Sequence, residues 1–313
     1  MEDHGVGDQS PLQPIAAPAA VAAGLSRIAA ARDEFVSVYE RDGFTIVKGV
    51  FSLEEVLAMR KACAEVFAET GGKIGELATY PQLRRVLLDD RVIAIARAAL
   101  GKAVVYFGDS NFYANSRFDR HIHNDARGDA EDPSTSDYPI LRMGIYLQDH
   151  AFHSNGLKVR PRSHKSVFWN VRNGLRLVGI GGKRLSPGAF RPRWFYNVPT
   201  EPGDLVFWNL RTHHAGHALR LRGLDGFALP PAVEGLVPAR MARPMAKERY
   251  AIFMSWGRES AALSAYVKSL AYLPGYQGVW QRSSFDAQVV RDAFATKGVT
   301  LNTDALLLSK LGV

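Results

Sequence analysis

Three side chains able to bind a metal ion lie within five residues, in the stretch RHIHND at 120–125. They are His121, His123 and Asp125. Side chains alternate between the two faces of an extended strand, so His123 and Asp125 point the same way and offer a nitrogen and an oxygen to one cation. His121 shares that face and is placed to support the ligands from behind. Two protein ligands seldom suffice for a metal, so this spacing predicts a third from elsewhere in the chain.

A second group of histidines, in RTHHAGH at 211–217, can supply that third ligand. It follows the strand-like run GDLVFW, and the candidates are His213, His214 and His217. Two histidines and one carboxylate that leave other metal positions open are typical of non-haem Fe(II) oxygenases. A structural zinc site would instead close four ligands around its ion. The H-x-D motif alone is weak, because histidine and aspartate are also common in surface loops.

The elements that must position these side chains are short strands. Between about residues 103 and 257, β-type runs alternate with Gly, Pro, Asn and Asp, which predicts an antiparallel sandwich or barrel. The runs are KAVVYFGDSNFYAN, YPILRMGIYLQDH, GLKVRP, GDLVFWN and RYAIFMSW. We expect a mainly β fold with flanking helices, in which the strands bring the distant histidines to one site.

Helical periodicity flanks these strands on both sides. Helices are predicted over 26–42, from a capping box of Ser52 and Glu55 to about residue 69, over 90–100, and in two segments after residue 258. GFTIVKGV reads as a further strand between the first two helices. The Ala- and Pro-rich start predicts a flexible arm over 1–25, followed by one domain over 26–313.

Composition and charge narrow the functional classes. The single cysteine, Cys63, excludes an internal disulfide, and we see no signal peptide or membrane span, so a cytoplasmic location is expected, with peripheral membrane contact left open. The formal charge is +8, and residues 158–249 contain 17 Lys and Arg against 5 Asp and Glu. Such an excess attracts anionic ligands, although it is equally compatible with an ordinary solvated surface. No recognised nucleic-acid-binding module accompanies it.

A longer succession of motifs gives these residues a context. DGFTIVKGVFS, the HND of residues 123–125, NGLKVRPRSHK and RTHHAG occur in that order. The succession resembles the phytanoyl-CoA dioxygenase (PhyH-like) family of Fe(II)- and 2-oxoglutarate-dependent oxygenases, over about residues 36–256. The resemblance implies a double-stranded β-helix, the jelly-roll core, and a reaction that uses Fe(II), 2-oxoglutarate and O2.

The resemblance also implies which residues act. The metal ligands would be His123, Asp125 and His214, since His214 matches the histidine of the family's R-x-x-H-x-G motif. The distal carboxylate of 2-oxoglutarate would pair with Arg249, which opens the strand-like RYAIFMSW; a guanidinium binds both carboxylate oxygens at once. From His214 to Arg249 is 35 positions, far more than is usual in the family, so Arg220 and Arg222 are rival carboxylate binders.

The chain departs from the family pattern at two further positions. Arg162 stands where the P-G-S-H motif has a glycine, and Gly216 stands where many relatives carry a hydroxyl. The latter leaves one contact to 2-oxoglutarate unassigned.

The implied activity is hydroxylation of an unactivated C–H bond, coupled to oxidative decarboxylation of 2-oxoglutarate to succinate and CO2. The presence of Asp125 favours hydroxylation, because related halogenases lack that carboxylate. An anionic small molecule or a lipid-linked sugar is the expected substrate. Two alternatives remain: a cupin-like metal site built from His121, His123 and Glu131, and a jelly-roll binding protein whose metal site is not catalytic.

Overall fold

Two β-sheets form the centre of the protein. The structure, a computed structural model, describes residues 17–114, 122–126, 138–165, 195–224, 227–229, 234–245 and 249–310. The strands are β1 (Phe44–Val47), β2 (Val105–Ala114), β3 (Ile140–Tyr146), β4 (Gly156–Val159), β5 (Phe195–Asn197), β6 (Leu205–Asn209), β7 (His214–Ala218), β8 (Phe227–Ala228), β9 (Tyr250–Gly257) and β10 (Thr300–Leu301).

Six of these strands form one sheet and four form the other. The larger sheet has the order β1-β6-β3-β9-β2-β10, and the smaller has the order β7-β4-β5-β8. The pairs are antiparallel, except that β10 runs parallel to β2. Strands that neighbour one another in a sheet are mostly distant in sequence, as in a jelly roll. The expected jelly-roll core with flanking helices is confirmed.

Strand β3 shows how the large sheet separates two environments. Leu141, Met143 and Ile145 face the main hydrophobic core beneath the helices. The alternate side chains, among them Arg142 and Tyr146, face the space between the sheets, because side chains alternate along a strand. The residues of this strand are buried on both faces. The inner face therefore carries the groups that can meet a ligand.

Helices cover the outer face of the large sheet. They are α1 (Pro18–Asp42), α2 (Leu53–Glu69), α3 (Pro81–Leu87), α4 (Asp90–Leu100), α5 (Ala261–Ala271), α6 (Pro274–Gln281), α7 (Gln288–Thr296) and α8 (Asp304–Lys310). None of the helices in the described parts of the chain is long and apolar enough to cross a membrane.

The N-terminal helix begins earlier than the sequence pattern predicted. Its first residue is Pro18 rather than about residue 26, so part of the predicted flexible arm is helical. Proline suits the first position of a helix, and the alanines that follow have the highest helix propensity. Gly24 packs closely on the Arg91 side chain, which ties this turn to α4. Residues 1–16 of the predicted arm lie outside the described residues.

Helix α2 begins at the predicted capping box. The Ser52 hydroxyl accepts from the Glu55 amide at 3.2 Å, and a Glu55 carboxylate oxygen accepts from the Ser52 amide at 2.6 Å. Glu55 also forms a buried ion pair with Arg91 of α4. The helices α3, α6 and α8 were not predicted, since each is only one or two turns long.

The long segment between β7 and β9 packs on the small sheet where it is described. Strand β8 extends that sheet by pairing with β5. Glu234 forms an ion pair with Lys158 of β4, with both side chains fully buried. Leu221 and Ala242 form an isolated bridge that closes the segment on itself. These contacts anchor the described parts of this segment to the core.

Candidate metal centre

The position of His214 depends on a turn that follows β6. The Thr212 amide donates to Asn209 O at 2.8 Å, and the Asn209 amide and the Thr212 hydroxyl both donate to Gly43 O. Gly43 ends α1 in a left-handed conformation, φ 83°. A Cβ there would lie 2.2 Å from His164 Nδ1 and 2.6 Å from Thr212 Oγ1, so only glycine fits. The glycine of the DGF motif therefore holds the turn that leads to the candidate ligand.

Residues 122–126 lie along the start of β7. His123 and His214 form an isolated antiparallel bridge, in which each amide donates to the other residue's carbonyl at 3.0 and 2.8 Å. The amides of Asp125 and Ala126 both donate to Leu210 O. These bonds fix the backbone on both sides of His123, so His123 and Asp125 project toward His214 without a long strand of their own.

The structure brings the three predicted ligands together. Nε2 of His123 lies 3.7 Å from Asp125 Oδ1, and Nε2 of His214 lies 3.5 Å from Asp125 Oδ2. One ligand atom from each residue falls within 4.8 Å of the others. Ligand atoms bound at about 2.1 Å from a small divalent cation lie about 3 to 3.6 Å apart, close to this spacing. Donor types and distances both fit such an ion.

The chemistry of His214 suits a metal ligand. Its Nδ1–H donates to Thr212 O at 2.9 Å, which leaves the Nε2 lone pair directed to the site. Burial, with a further contribution from His123, lowers the pKa of His214 to about 4, although Asp125 opposes the shift. The imidazole is therefore neutral at pH 7 and available to a cation.

The competing residues have different positions. The amide of His213 donates to Ser163 Oγ, and its carbonyl accepts from the Arg160 amide; among the described residues, His214 and not His213 belongs to the candidate metal group. His217 lies further along β7. His121 and Glu131, on which the cupin-like alternative depended, lie outside the described residues.

A cavity of about 670 Å³ opens beside the three candidate ligands. That volume lies in the range of sites for small organic ligands, about 300 to 1,000 Å³. Aromatic and aliphatic side chains make up much of its wall, and polar and charged side chains make up the rest. The apolar lining comprises Phe67, Ile74, Phe112, Tyr113, Tyr146, Leu157, Trp208, Phe253 and Val279.

Arg249 lines the same cavity, immediately before β9. It is buried, and burial lowers the pKa of its guanidinium, an effect that Tyr146 and Tyr113 oppose. A Cβ at Gly216 would lie 3.4 Å from Arg249 Nη2, so this arginine lies beside the residue two positions after His214. Arg249 thus lies within reach of a small molecule that contacts the three ligands.

The two rival arginines are not among the cavity-lining residues of the described chain. Arg222 is exposed, and its Nε donates to Ala242 O at 3.0 Å. The backbone of Arg220 is bound to Ser154 Oγ and to the Arg243 amide, on the side of the inserted segment. The geometry favours Arg249 over both.

The departure at Arg162 has a structural explanation. Its φ of 66° is left-handed, the conformation that glycine adopts most easily. Here the residue is held by Asp42: the Arg162 amide donates to Asp42 O at 2.7 Å, and its Nε donates to Asp42 Oδ1 at 3.1 Å. Where the family motif has a glycine, this chain therefore has an arginine that forms an ion pair with Asp42 at the end of α1.

Sequence reasoning missed a charged pair on the cavity wall. Arg142, in the middle of the apolar strand β3, lines the cavity and donates from Nη1 to both carboxylate oxygens of Asp109 at 3.1 Å. Tyr276 of α6 also donates to Asp109, at 2.9 Å. The sequence did contain a signal for this pair, namely a single arginine within the apolar run ILRMGIY. Charged residues are rarely buried in a strand unless they are paired, so this arginine implied a buried acidic partner.

Comparison with known proteins places these observations in a family. Solved structures with similar folds include HygX from Streptomyces hygroscopicus with nickel and 2-oxoglutarate bound (17% identity, 72% of this chain and 86% of that chain, TM-score 0.49). EctD from S. alaskensis with 2-oxoglutarate and 5-hydroxyectoine has 15% identity over 81% of this chain and 80% of that one, TM-score 0.48. The alpha-ketoglutarate-dependent epimerase SnoN has 18% identity over 74% and 84%, TM-score 0.47.

No curated protein sequence matches the chain. The sequence model of one family, described as phytanoyl-CoA dioxygenase (PhyH), matches residues 39–220, which is more than half of the 313 residues. The match includes His123, Asp125 and His214. The cofactors of this family are Fe(II), 2-oxoglutarate and O2, and the donor set beside the cavity is compatible with the metal. The chain belongs to the phytanoyl-CoA dioxygenase family and is an Fe(II)- and 2-oxoglutarate-dependent oxygenase.

Proposed function

We propose that His123, Asp125 and His214 bind Fe(II) and that the enzyme hydroxylates a C–H bond of a small anionic molecule. The observation that carries this proposal is the convergence of the three ligand atoms within 4.8 Å on the wall of a substrate-sized cavity. Three ligands on one side leave the other metal positions open, which oxygenase chemistry requires.

Arg249 is the residue we assign to the distal carboxylate of 2-oxoglutarate. It is buried beside Gly216, and Gly216 follows His214 by two residues on β7. A short dicarboxylate can therefore contact the metal at one end and the guanidinium at the other. The planar guanidinium can bind both oxygens of that carboxylate, and its low exposure limits screening by water.

The remaining chemistry divides between the cofactors and the chain. Bound Fe(II), with 2-oxoglutarate and O2, supplies the oxidising power for attack on an unactivated C–H bond. The chain holds the neutral His214 ring in place through Thr212 O, keeps the apolar wall free of water and orients the substrate carbon. The carboxylate of Asp125 would hold the metal at a position that related halogenases leave to a halide, so hydroxylation is the favoured outcome.

The charges of the cavity support an anionic substrate. Of the described residues that line it, Arg142, Arg249 and Arg282 are cationic and Asp125 is anionic. A positive surplus next to an apolar wall attracts organic anions. The cavity volume favours a small molecule over the larger lipid-linked sugar that the sequence left open. Much of the basic segment at 158–249 lies outside the described residues.

The test compares wild type with Asp125→Ala. We expect wild type to form succinate from 2-oxoglutarate when anaerobically added Fe(II) is followed by O2, and the variant to form none. Because some oxygenases turn over only with substrate present, Mn(II) binding by calorimetry gives a second readout, which Asp125→Ala should also abolish. Asp33→Ala, an exposed aspartate on α1, is the matched control. Normal succinate formation by Asp125→Ala would refute the ligand assignment.

A further inference from the structure

Arg142 occupies an unusual place for a charged side chain. It lies in the centre of β3, opposite Trp208 of β6 on one side and Ser255 of β9 on the other. Its side chain points to the space between the sheets, with the guanidinium carbon 5.7 Å from the centre of the Phe253 ring. Burying a guanidinium among apolar groups is unfavourable unless it is paired. An arginine at this position is therefore not explained by packing alone.

Asp109 is the acidic partner of Arg142, and a bulge in β2 directs its side chain toward the guanidinium. The register between β2 and β9 shifts between Tyr106 and Ser110, and Gly108 in this bulge has a φ of 74°. Bulges re-aim side chains and are common next to active sites. Asp109 accepts from Arg142, from the Ser255 hydroxyl at 2.7 Å and from the Tyr276 hydroxyl at 2.9 Å. The carboxylate is saturated with donors and keeps the guanidinium in one orientation.

The pairing uses only part of the donor capacity of Arg142. Its Nη1 binds Asp109 and approaches Ser255 at 3.4 Å. Nη2 has one long contact, to Asn111 Oδ1 at 3.5 Å. A guanidinium has five N–H donors, and the Nε and Nη2 edge forms a planar fork that matches two carboxylate oxygens. That edge belongs to a side chain on the cavity wall.

Arg142 and Arg249 extend from different points of the large sheet. Arg249 precedes β9, whereas Arg142 pairs with Ser255, six residues further along, so their backbones are about 20 Å apart at the usual strand rise of about 3.3 Å per residue. Each of the two arginines has a neighbour close to the candidate ligand His214. The Trp208 ring, opposite Arg142, is 5.3 Å from the His214 ring, while Gly216 adjoins Arg249. A 2-oxoglutarate bound at Arg249 would leave Arg142 free for a second molecule.

The charge of the cavity indicates what that second molecule is. The three lining arginines and Asp125 sum to +2, and neutral Fe(II)·2-oxoglutarate leaves this value unchanged. Asp109, directly behind Arg142, reduces it to +1. One negative charge therefore balances the site, and a planar monoanion fits the fork better than a phosphate dianion. The apolar lining suits the rest of the molecule.

We propose that Arg142, held by Asp109, binds the carboxylate of the substrate that is oxidised, and that this substrate is an organic monocarboxylate with a mainly apolar body. The inference rests on the proposed function, since it assumes that Arg249 and the metal are occupied by 2-oxoglutarate. Arg142 is then a specificity-determining residue: it selects the acid and sets which carbon lies next to the metal.

The test measures binding of acids against their amides. Octanoate, octanamide, 3-phenylpropanoate, 3-phenylpropanamide and octyl phosphate are titrated calorimetrically into anaerobic enzyme that holds Fe(II) and saturating 2-oxoglutarate. Hydrogen bonds to charged groups predict that at least one acid binds wild type about 10- to 100-fold more tightly than its amide. The double variant Arg142→Gln, Asp109→Asn removes both charges of the pair, so the buried carboxylate is not left alone, and should bind acid and amide equally.

Two further variants sharpen the comparison. Arg142→Lys keeps the charge but loses the fork, and should retain only part of the acid preference. Arg282→Gln removes an exposed cavity arginine, whose Nη2 contacts Ile74 O; this side chain adds to the positive charge of the cavity but does not supply the fork, so most of the preference should remain. Three results would overturn the inference. They are equal binding of acids and amides by wild type, an acid preference that survives in the double variant, and an acid preference that disappears in Arg282→Gln. Tighter binding of octyl phosphate than of both acids would overturn the choice of carboxylate.

The same titrations separate this inference from the proposed function. 2-Oxoglutarate should bind Fe(II)-loaded wild type and the double variant with similar affinity, because Arg249 is unchanged. Failure of 2-oxoglutarate to bind wild type would refute the function itself. Normal binding of 2-oxoglutarate together with no acid preference would refute only the role of Arg142.

Discussion

Replacing Arg249 with glutamine tests the assignment of the 2-oxoglutarate carboxylate most directly. Arg249 is 4% exposed, so its interaction with a carboxylate is weakly screened. Glutamine keeps an uncharged amide donor, but it is shorter and loses both the charge and the planar fork of the guanidinium. The loss of one charge-assisted hydrogen bond corresponds to about 1.5 to 3 kcal/mol, which raises the KM for 2-oxoglutarate roughly 10- to 150-fold.

The assay follows succinate at varied 2-oxoglutarate with Fe(II) and O2 in excess. The loss affects the bound co-substrate and the transition state alike, so kcat at saturating 2-oxoglutarate should stay near the wild-type value. Arg222→Gln is the matched control, since Arg222 is exposed and donates to Ala242 O. A melting temperature for each variant shows that Arg249→Gln is folded.

Two results would refute the reasoning. One is a normal KM in Arg249→Gln. The other is a raised KM in Arg222→Gln or Arg220→Gln, which would place the carboxylate on the inserted segment. A fall in kcat with no change in KM would indicate that Arg249 affects the reacting atoms rather than holding the far end of the co-substrate.

Three predictions concern stability, measured as unfolding free energy in urea. Burial raises the pKa of Glu76 from 4.5 to about 7, so the folded protein resists loss of this proton as the pH rises. The unfolding free energy of wild type should therefore fall by about 3 kcal/mol relative to that of Glu76→Gln between pH 4.5 and 7. Parallel pH profiles of the two proteins would contradict this. Arg162→Gly should be about 1 kcal/mol more stable than Arg162→Ala. Both variants lose the ion pair with Asp42, but only alanine is strained by the left-handed backbone conformation at this position. Equal stability of the two variants would contradict this. Glu234→Gln should lower the unfolding free energy by about 3 to 5 kcal/mol, because it leaves Lys158 buried without its carboxylate partner. The double variant Lys158→Met, Glu234→Leu should recover most of that stability. A loss under about 1 kcal/mol in Glu234→Gln would show that the pair does not anchor the insertion.

The strands could be predicted from local sequence patterns, and the grouping of His123, Asp125 and His214 from the resemblance to a family. Alternating apolar runs and the Ser52–Glu55 capping box predict elements from local contacts alone, and these local signals survive in the folded protein. The convergence of His123 with His214 depended on the resemblance to a family, because 91 positions separate them and no local pattern encodes their pairing. Strand alternation did indicate that His213 and His214 face different ways.

The partners of the cavity wall could not be predicted in this way. Asp109 meets Arg142 only because a bulge at Gly108 turns it inward, and Tyr276 reaches it from a helix of only two turns. Each contact joins segments more than 30 residues apart in sequence. The early start of α1 is a simpler miss: the Ala- and Pro-rich composition of residues 1–25 predicted a flexible arm, although proline at the first position of a helix is favourable.

The order of these residues along the chain has a consequence for how the enzyme can diverge. His123, Asp125 and His214 all lie within the segment shared with the family, residues 39–220. Arg249, Tyr276 and the other cavity residues of β9 and α6 lie after it. Mutations in the last third of the chain can therefore remodel the pocket while the three proposed metal ligands are inherited unchanged. Two homologues with the same metal motif can carry out the same oxidation on different molecules, and their sequences should be compared around α6 as well as at Arg142 and Asp109 to tell them apart.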